Sequence, residues 1–149
     1  MTLKALCIYW LPVIVWAALI SFFSTSYFSG EHTGHLFTTI IRWFWPGISV
    51  EILDLLHHIV RKLAHITEYC ILSLFLFRAL RGGRATAWKM AWFWTCLMSV
   101  VAYASLDEIH QSFVKGRDAR LGDVGFDTLG GVIGQVIVWI RNCFWFHDA

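Results

Sequence analysis

Four long apolar runs constrain the fold of this chain more than any other feature of its sequence. A bilayer core about 30 Å thick is crossed by about 20 apolar residues of α-helix. The runs lie at about residues 5–23, 62–80, 88–107 and 123–141. Four such runs in 149 residues predict a single all-α domain, residues 1–149, folded as a compact bundle of four transmembrane helices.

The amino-acid composition agrees with a membrane protein. Hydrophobic residues make up 58% of the chain and charged residues only 15%, whereas a soluble domain carries about a quarter charged residues. Membrane lipids are therefore the expected surroundings. The formal net charge of +2 is too small to indicate nucleic-acid binding, and there is no basic tail.

The first apolar run has two interpretations. It follows a single Lys4, which is also the layout of a secretory signal peptide. The run is long and aromatic and lacks a clear A-x-A cleavage site. We therefore expect an uncleaved helix with Pro12 as a kink, and a cleaved signal is the alternative.

Residues 24–60 form the one long connection between the predicted spans. It contains the aromatic segment FTTIIRWFWP, which ends at Pro46, is too short to cross a bilayer and carries Arg42 in its middle. Trp and Tyr side chains concentrate where membrane meets water. The segment predicts an interfacial helix with Trp43 and Trp45 at headgroup level.

Polar side chains occur at the ends of three of the runs. A charge at the centre of a span costs about 2.5–3.5 kcal/mol. The positions of the charged side chains in and beside the spans therefore indicate where a functional site can lie. The three groups are Lys62, His65, Glu68 and Tyr69; Asp107, Glu108, His110 and Gln111; and Asp123 and Asp127. Offsets of three, six and seven place the whole first group on one helical face.

Topology brings the three groups to one place. The second span begins on the side where the third ends and the fourth begins. All three groups therefore lie at the same end of the bundle, whichever way it is inserted. Structural explanations also exist: Asp123 can complement a helix dipole, Lys62 can snorkel to the interface and His65 can be a packed polar residue. The coincidence of all three groups favours a functional site.

The orientation follows from the basic residues. With the N-terminus inside, Lys and Arg are divided six to each side. The connection from Arg78 to Lys89, however, is basic and contains no acidic residue, as is typical of cytoplasmic loops. We therefore expect both termini in the cytoplasm and the polar end on the extracytoplasmic side, with the reverse as the alternative.

The fourth run contains a GxxxG pair, Gly130 and Gly134. Small residues at this spacing let two helices approach closely. We expect packing within the chain rather than dimerisation.

Two segments resemble the VanZ-like membrane protein family: RKLAHITEY and YASLDEIHQSFVKGRDARLGDVGFDTLGG. The resemblance covers about residues 60–135. It implies a protein of the bacterial cytoplasmic (inner) membrane, and some members are linked to low-level resistance to teicoplanin, a lipoglycopeptide antibiotic. It marks all the polar residues of the three groups and Gly130, and it adds Gly116 and Arg117.

These residues suggest acid–base chemistry on an anionic ligand. His65 and His110 can serve as general base and acid, and a neighbouring carboxylate can orient them; the candidates are Glu68, Asp107 and Glu108. Lys62 and Arg117 can hold a phosphate or carboxylate. The further candidates for ligand binding are Tyr69, Gln111, Asp123 and Asp127.

The sequence leaves several functions open. A divalent metal can be held by His65, Glu68, His110 and one more carboxylate. The first hypothesis is an enzyme acting on a cell-envelope or lipid-linked ligand. The alternatives are a non-catalytic protein that masks such a ligand or a glycopeptide, and a purely structural ion cluster. A transporter is disfavoured, because four spans are few and the charges are not at the midplane.

Overall fold

The computed structural model describes residues 2–25, 30–84, 88–114 and 121–145, which form five helices. The helices are α1 (Leu3–Phe23), α2 (Gly30–Phe44), α3 (Val50–Arg81), α4 (Met90–Ser112) and α5 (Leu121–Trp145). Helices α1, α3, α4 and most of α5 are long and apolar enough to cross a membrane. The predicted all-α fold with four transmembrane helices is thereby confirmed.

Helix α3 is the centre of the bundle, and all four other helices pack against it. It begins at Val50, where the Ser49 side chain accepts a hydrogen bond from the Ile52 backbone N–H at 3.4 Å. It ends at Gly82, which has the left-handed conformation (φ 58°) that glycine adopts without strain. A helix of 32 residues is about 48 Å long. An upright α3 therefore projects beyond the hydrocarbon core, and it begins well before residue 62, where the sequence predicted the second span.

Helix α2 corresponds to the predicted interfacial segment and lies on the N-terminal half of α3. The Thr33 hydroxyl lies 3.3 Å from His57 Nε2 in a hydrogen bond, and the rings of Phe37 and His57 are 5.3 Å apart. Trp43 and Trp45 are exposed, and their location at headgroup level stays a prediction.

Two glycines of α5 lie directly against the backbone of α3 and set the distance between the two helices. A Cβ atom at Gly130 would overlap the carbonyl oxygen of Ile66, and one at Gly134 would lie 2.7 Å from that of Cys70. These distances are below normal van der Waals contact, so the two helices approach this closely only because both residues are glycine. The GxxxG pair therefore serves packing within the chain, as predicted.

Helix α1 is held against α3 and α4 by hydrogen bonds from aromatic side chains. Trp16 Nε1 donates to the carbonyl oxygen of Glu68 at 2.9 Å. Tyr103 Oη donates to the carbonyl oxygen of Ala17 at 2.6 Å and lies 2.7 Å from Ser21 Oγ. These contacts fix the C-terminal half of α1 beside the polar end of the bundle.

Candidate functional site

Three helices bring buried polar side chains together at one end of the bundle. Tyr69 of α3 and Asp127 of α5 are fully buried, and Asp107 of α4 is 4% exposed. Both carboxylates lie close enough to Tyr69 to interact with it electrostatically, and the rings of Tyr69 and Tyr103 are 6.3 Å apart. The convergence that topology predicted for these residues is therefore present in the structure.

His65 faces Asp127 across the α3–α5 interface. His65 Nδ1 lies 3.3 Å from Asp127 Oδ1, which is within ion-pair distance, but the geometry is not that of a hydrogen bond. Neither oxygen of Asp127 has a hydrogen-bond donor among the described residues. A buried carboxylate normally has its hydrogen bonds satisfied. Asp127 therefore retains hydrogen-bonding capacity beside His65.

Asp107 has a different environment, because it accepts two hydrogen bonds on one oxygen. Ser24 Oγ donates to Asp107 Oδ2 at 2.8 Å, and Gln111 Nε2 donates to the same oxygen at 2.7 Å. Ser24 closes α1 and is 3% exposed. The sequence pattern does not predict Ser24 as a site residue, although topology places the end of the first span at this end of the bundle. Gln111, which the pattern does predict, orients Asp107.

Lys62 and Asp123 form a second ion pair nearer the surface. Lys62 Nζ lies 2.8 Å from Asp123 Oδ1, and the two side chains are 42% and 30% exposed. The ammonium group also lies 3.9 Å from the centroid of the Phe126 ring. Both residues are thus at the predicted end of the bundle, but in a pair of their own at its rim.

The remaining predicted residues are not all brought into the cluster. Helix α4 buries Asp107, Glu108 and Gln111, whereas His110 is exposed on another face. Glu108 is 5% exposed. Arg117 and Gly116 lie outside the described residues. The structure therefore does not place His110 opposite His65 as a general acid.

A cavity of about 420 Å³ lies beside the cluster, between α1, α2 and the N-terminal half of α3. Its walls are mainly apolar and are formed by Phe23, Leu36, Phe37, Ile40, Val60 and Ala64. Its polar lining is formed by Ser24, Thr33, His57, Arg61, His65 and Glu68. Several wall residues, including Leu36 and Ile40, are also exposed, so the cavity is a groove open to the surroundings.

The sequence does not predict this cavity. With residues 24–60 interpreted as a connection, His57 has no helical register that relates it to Arg61, the first residue of the RKLAHITEY segment. Once α3 is extended to Val50, His57, Arg61, His65 and Glu68 fall at intervals of four, four and three residues, which places them on one helical face. That spacing is the signal that would have revealed the site.

The described residues contain no group of three or more His, Cys, Asp or Glu side chains arranged to hold a metal ion. In particular, the exposed position of His110 separates it from His65 and Glu68. The four ligands suggested by the sequence do not meet.

The fold and the site define a small multi-pass membrane protein with a buried carboxylate–histidine cluster beside an apolar groove. The sequence model of the VanZ/LLP1 family matches residues 9–142, so the chain belongs to this family. The match runs from α1 to α5 and is longer than the 60–135 region covered by the two motifs. Comparisons with curated proteins and with solved structures give no match.

Proposed function

We propose that this protein acts on an anionic, lipid-linked ligand of the cell envelope, with His65 as general base. The observation that carries the proposal is the position of His65 between two environments. Its ring lines the cavity, while its Nδ1 faces the fully buried Asp127 at 3.3 Å. A pocket with apolar walls and a few convergent polar groups is the usual form of a ligand site.

The pair of His65 and Asp127 supports proton transfer. Because Nδ1 lies beside the carboxylate, we assign Nε2 as the nitrogen that acts on a ligand in the cavity. His65 accepts the proton of the attacking hydroxyl group or water, and that oxygen forms a bond to the reacting centre. The bond to the leaving oxygen breaks, and His65 returns the proton to it. Asp127 stabilises the imidazolium in between, as in other histidine–carboxylate pairs.

The rest of the cluster supplies a fixed polar environment. Asp107 is held by Ser24 and Gln111, while its Oδ1 and the hydroxyl of Tyr69 have no hydrogen-bond partner among the described residues. Preorganised polar groups in a site that excludes water stabilise charge without reorganisation. Tyr69 and Asp107 lie outside the cavity lining and are therefore orienting groups in this proposal.

Membership of the VanZ/LLP1 family supports a role in the cell envelope. Some VanZ-like proteins are linked to teicoplanin resistance, and we propose the same link for this chain. The basic connection between α3 and α4 supports an orientation with the polar cluster on the extracytoplasmic side of the inner membrane. That side carries lipid-linked envelope precursors.

Non-catalytic binding is the second candidate. The mainly apolar walls of the cavity and the cationic Arg61 are sufficient to hold an anionic amphiphile. The contact between His65 and Asp127 is outside hydrogen-bond geometry, and binding needs no such bond. The two candidates differ in whether the ligand is chemically changed.

The test compares His65→Gln with His58→Gln in a teicoplanin-susceptible bacterial host. His58 is on the same helix but exposed and outside the cavity lining, so it is a matched control. The measurements are the inhibitory teicoplanin concentration and the mass spectrum of extracted lipids, both normalised to protein in the membrane. We expect the parent and His58→Gln to raise resistance and change a lipid species, and His65→Gln to do neither.

Each other outcome has a clear meaning. Resistance from the parent without any changed lipid supports binding alone and contradicts the acid–base role. No resistance from the parent contradicts the link to teicoplanin for this chain. If His65→Gln does not accumulate, Asp127→Asn provides the same test with the imidazole left in place.

A further inference from the structure

We infer that the ligand is a lipid monophosphate, with its phosphate on Arg61 and one apolar chain in the groove between α1, α2 and α3. This inference rests on the proposed function and names the substrate class of the same site. The groove volume of about 420 Å³ falls in the range of small-molecule sites, about 300–1,000 Å³. Neither the interfacial helix α2 nor Arg61 was assigned any ligand by the sequence motifs.

The walls of the groove match a hydrocarbon chain. Leu36, Phe37 and Ile40 of α2 face Phe23 of α1 and Val60 of α3 across it. Apolar walls gain little from a small hydrated anion, but they bury the chain of a lipid favourably. The occupant is therefore a lipid and not a free phosphate.

Arg61 is the cation available to this ligand. His57 is hydrogen-bonded to Thr33, and Lys62 is paired with Asp123 at the rim. Arg61 lines the groove and makes no hydrogen bond or ion pair within the part of the chain that the structure describes. A guanidinium group binds phosphate oxygens through two parallel hydrogen bonds. Charge complementarity therefore favours an anionic headgroup at Arg61.

The spacing along α3 connects the bound phosphate to the proposed general base. Arg61 and His65 are four residues apart on one face, a rise of about 6 Å. A phosphate held by Arg61 thus lies about one helical turn from His65. Glu68 lines the same groove, but lies about 10 Å from Arg61 along the helix axis, so it does not share the phosphate position.

The first experiment uses the full chain in detergent and native mass spectrometry with two probes. The probes are 1-oleoylglycerol 3-phosphate and 1-oleoylglycerol, which differ only in the phosphate group. We expect one bound equivalent of the phosphate lipid and at least about tenfold weaker binding of the neutral lipid, the loss typical of a charge-assisted contact. Equal binding of the two probes would overturn the assignment.

The second experiment tests the two contacts with matched substitutions. Arg61→Gln should remove the preference for the phosphate lipid, whereas Arg42→Gln, an exposed arginine of α2 outside the lining, should keep it. Ala64→Trp should fill the groove and weaken binding of both probes about tenfold or more. Ala91→Trp, on the exposed surface of α4, should not. If a variant and its control change lipid binding equally, in either pair, the lipid is not bound at Arg61 and in the groove.

Two further arms separate the possible sources of failure. Inorganic phosphate should not displace the phosphate lipid, and displacement would assign the site to a free anion. If the parent prefers the phosphate lipid and Arg61→Gln does not, while the parent changes no envelope lipid, the lipid site stands and the acid–base role fails. If the parent changes an envelope lipid while Arg61→Gln binds the probe unchanged, the proposed function stands and this inference fails.

Discussion

His65 Nδ1 of α3 lies 3.3 Å from Asp127 Oδ1 of α5, at the interface where two glycines of α5 lie against the backbone of α3. The glycines of α5 and the polar pair belong to the same interface, because Gly130 lies against Ile66, the residue after His65. The close helix approach thus brings the Asp127 carboxylate to the imidazole. Packing and the candidate chemistry depend on the same few residues.

The close approach of α3 and α5 predicts a strong effect of one added methyl group. Gly130→Ala should lower the free energy of unfolding by about 1–3 kcal/mol, because its Cβ would overlap the Ile66 carbonyl oxygen. Gly125→Ala is the control, since nothing lies within 4 Å of a Cβ there. It should be neutral or stabilising by up to about 1 kcal/mol. Equilibrium unfolding in mixed micelles measures both, and equal stability of the variants would show that the interface tolerates a side chain.

The proposed orientation predicts opposite labelling of two single cysteines in a background without native cysteines. Ser112→Cys, at the exposed end of α4, should react with an impermeant thiol reagent in intact cells. Arg84→Cys should react only after lysis. The neighbouring Gly83 is unsuitable for a cysteine, because it has a positive φ of 76° and its Cβ would lie against Tyr9. The reversed pattern would place the cluster in the cytoplasm.

The exposed position of His110 predicts that its substitution affects function much less than substitution of His65, the other histidine predicted from the sequence. His110 is exposed, so His110→Gln should leave teicoplanin resistance and the lipid profile within about twofold of the parent, as is typical for a surface substitution. His65→Gln should abolish both. Loss of function in His110→Gln at normal protein levels would instead support the general-acid role that the sequence predicted for His110.

Most of the fold could be predicted because the bilayer fixes the length and composition of a spanning helix. The first turns of α3 could not, because residues 50–61 contain Glu51, Asp54, His57 and His58. Such a segment is too polar to be predicted as part of a span, although it belongs to the same helix. The groove was missed for the same reason, since its α3 lining begins in those turns.

The candidate site could be predicted only in part. Connectivity alone placed His65, Tyr69, Asp107 and Asp127 at one end, and the structure brings them together. The rotation of α4 about its axis depends on its neighbours, so the sequence could not show that Asp107 is buried while His110 is exposed. Likewise, Ser24 gains its role through a contact with a residue 83 positions away.

The last prediction compares the two ion pairs of α3 and α5 by double-mutant cycles. The first cycle combines His65→Gln with Asp127→Asn, and the second combines Lys62→Gln with Asp123→Asn. Asp127 is fully buried, so His65→Gln removes the ion-pair partner that the described residues provide and leaves a carboxylate without solvent. We expect a coupling energy of about 0.5–3 kcal/mol for this pair.

The second cycle is the control, because Lys62 and Asp123 are closer together, at 2.8 Å, but are 42% and 30% exposed. Water screens such a pair, and its coupling should be below about 1 kcal/mol. Unfolding in mixed micelles at a fixed pH measures all variants. Burial, and not distance, then decides which pair stabilises the α3–α5 interface. A larger coupling for Lys62 and Asp123 than for His65 and Asp127 would show the reverse and would remove the basis for treating Asp127 as the partner of a catalytic histidine.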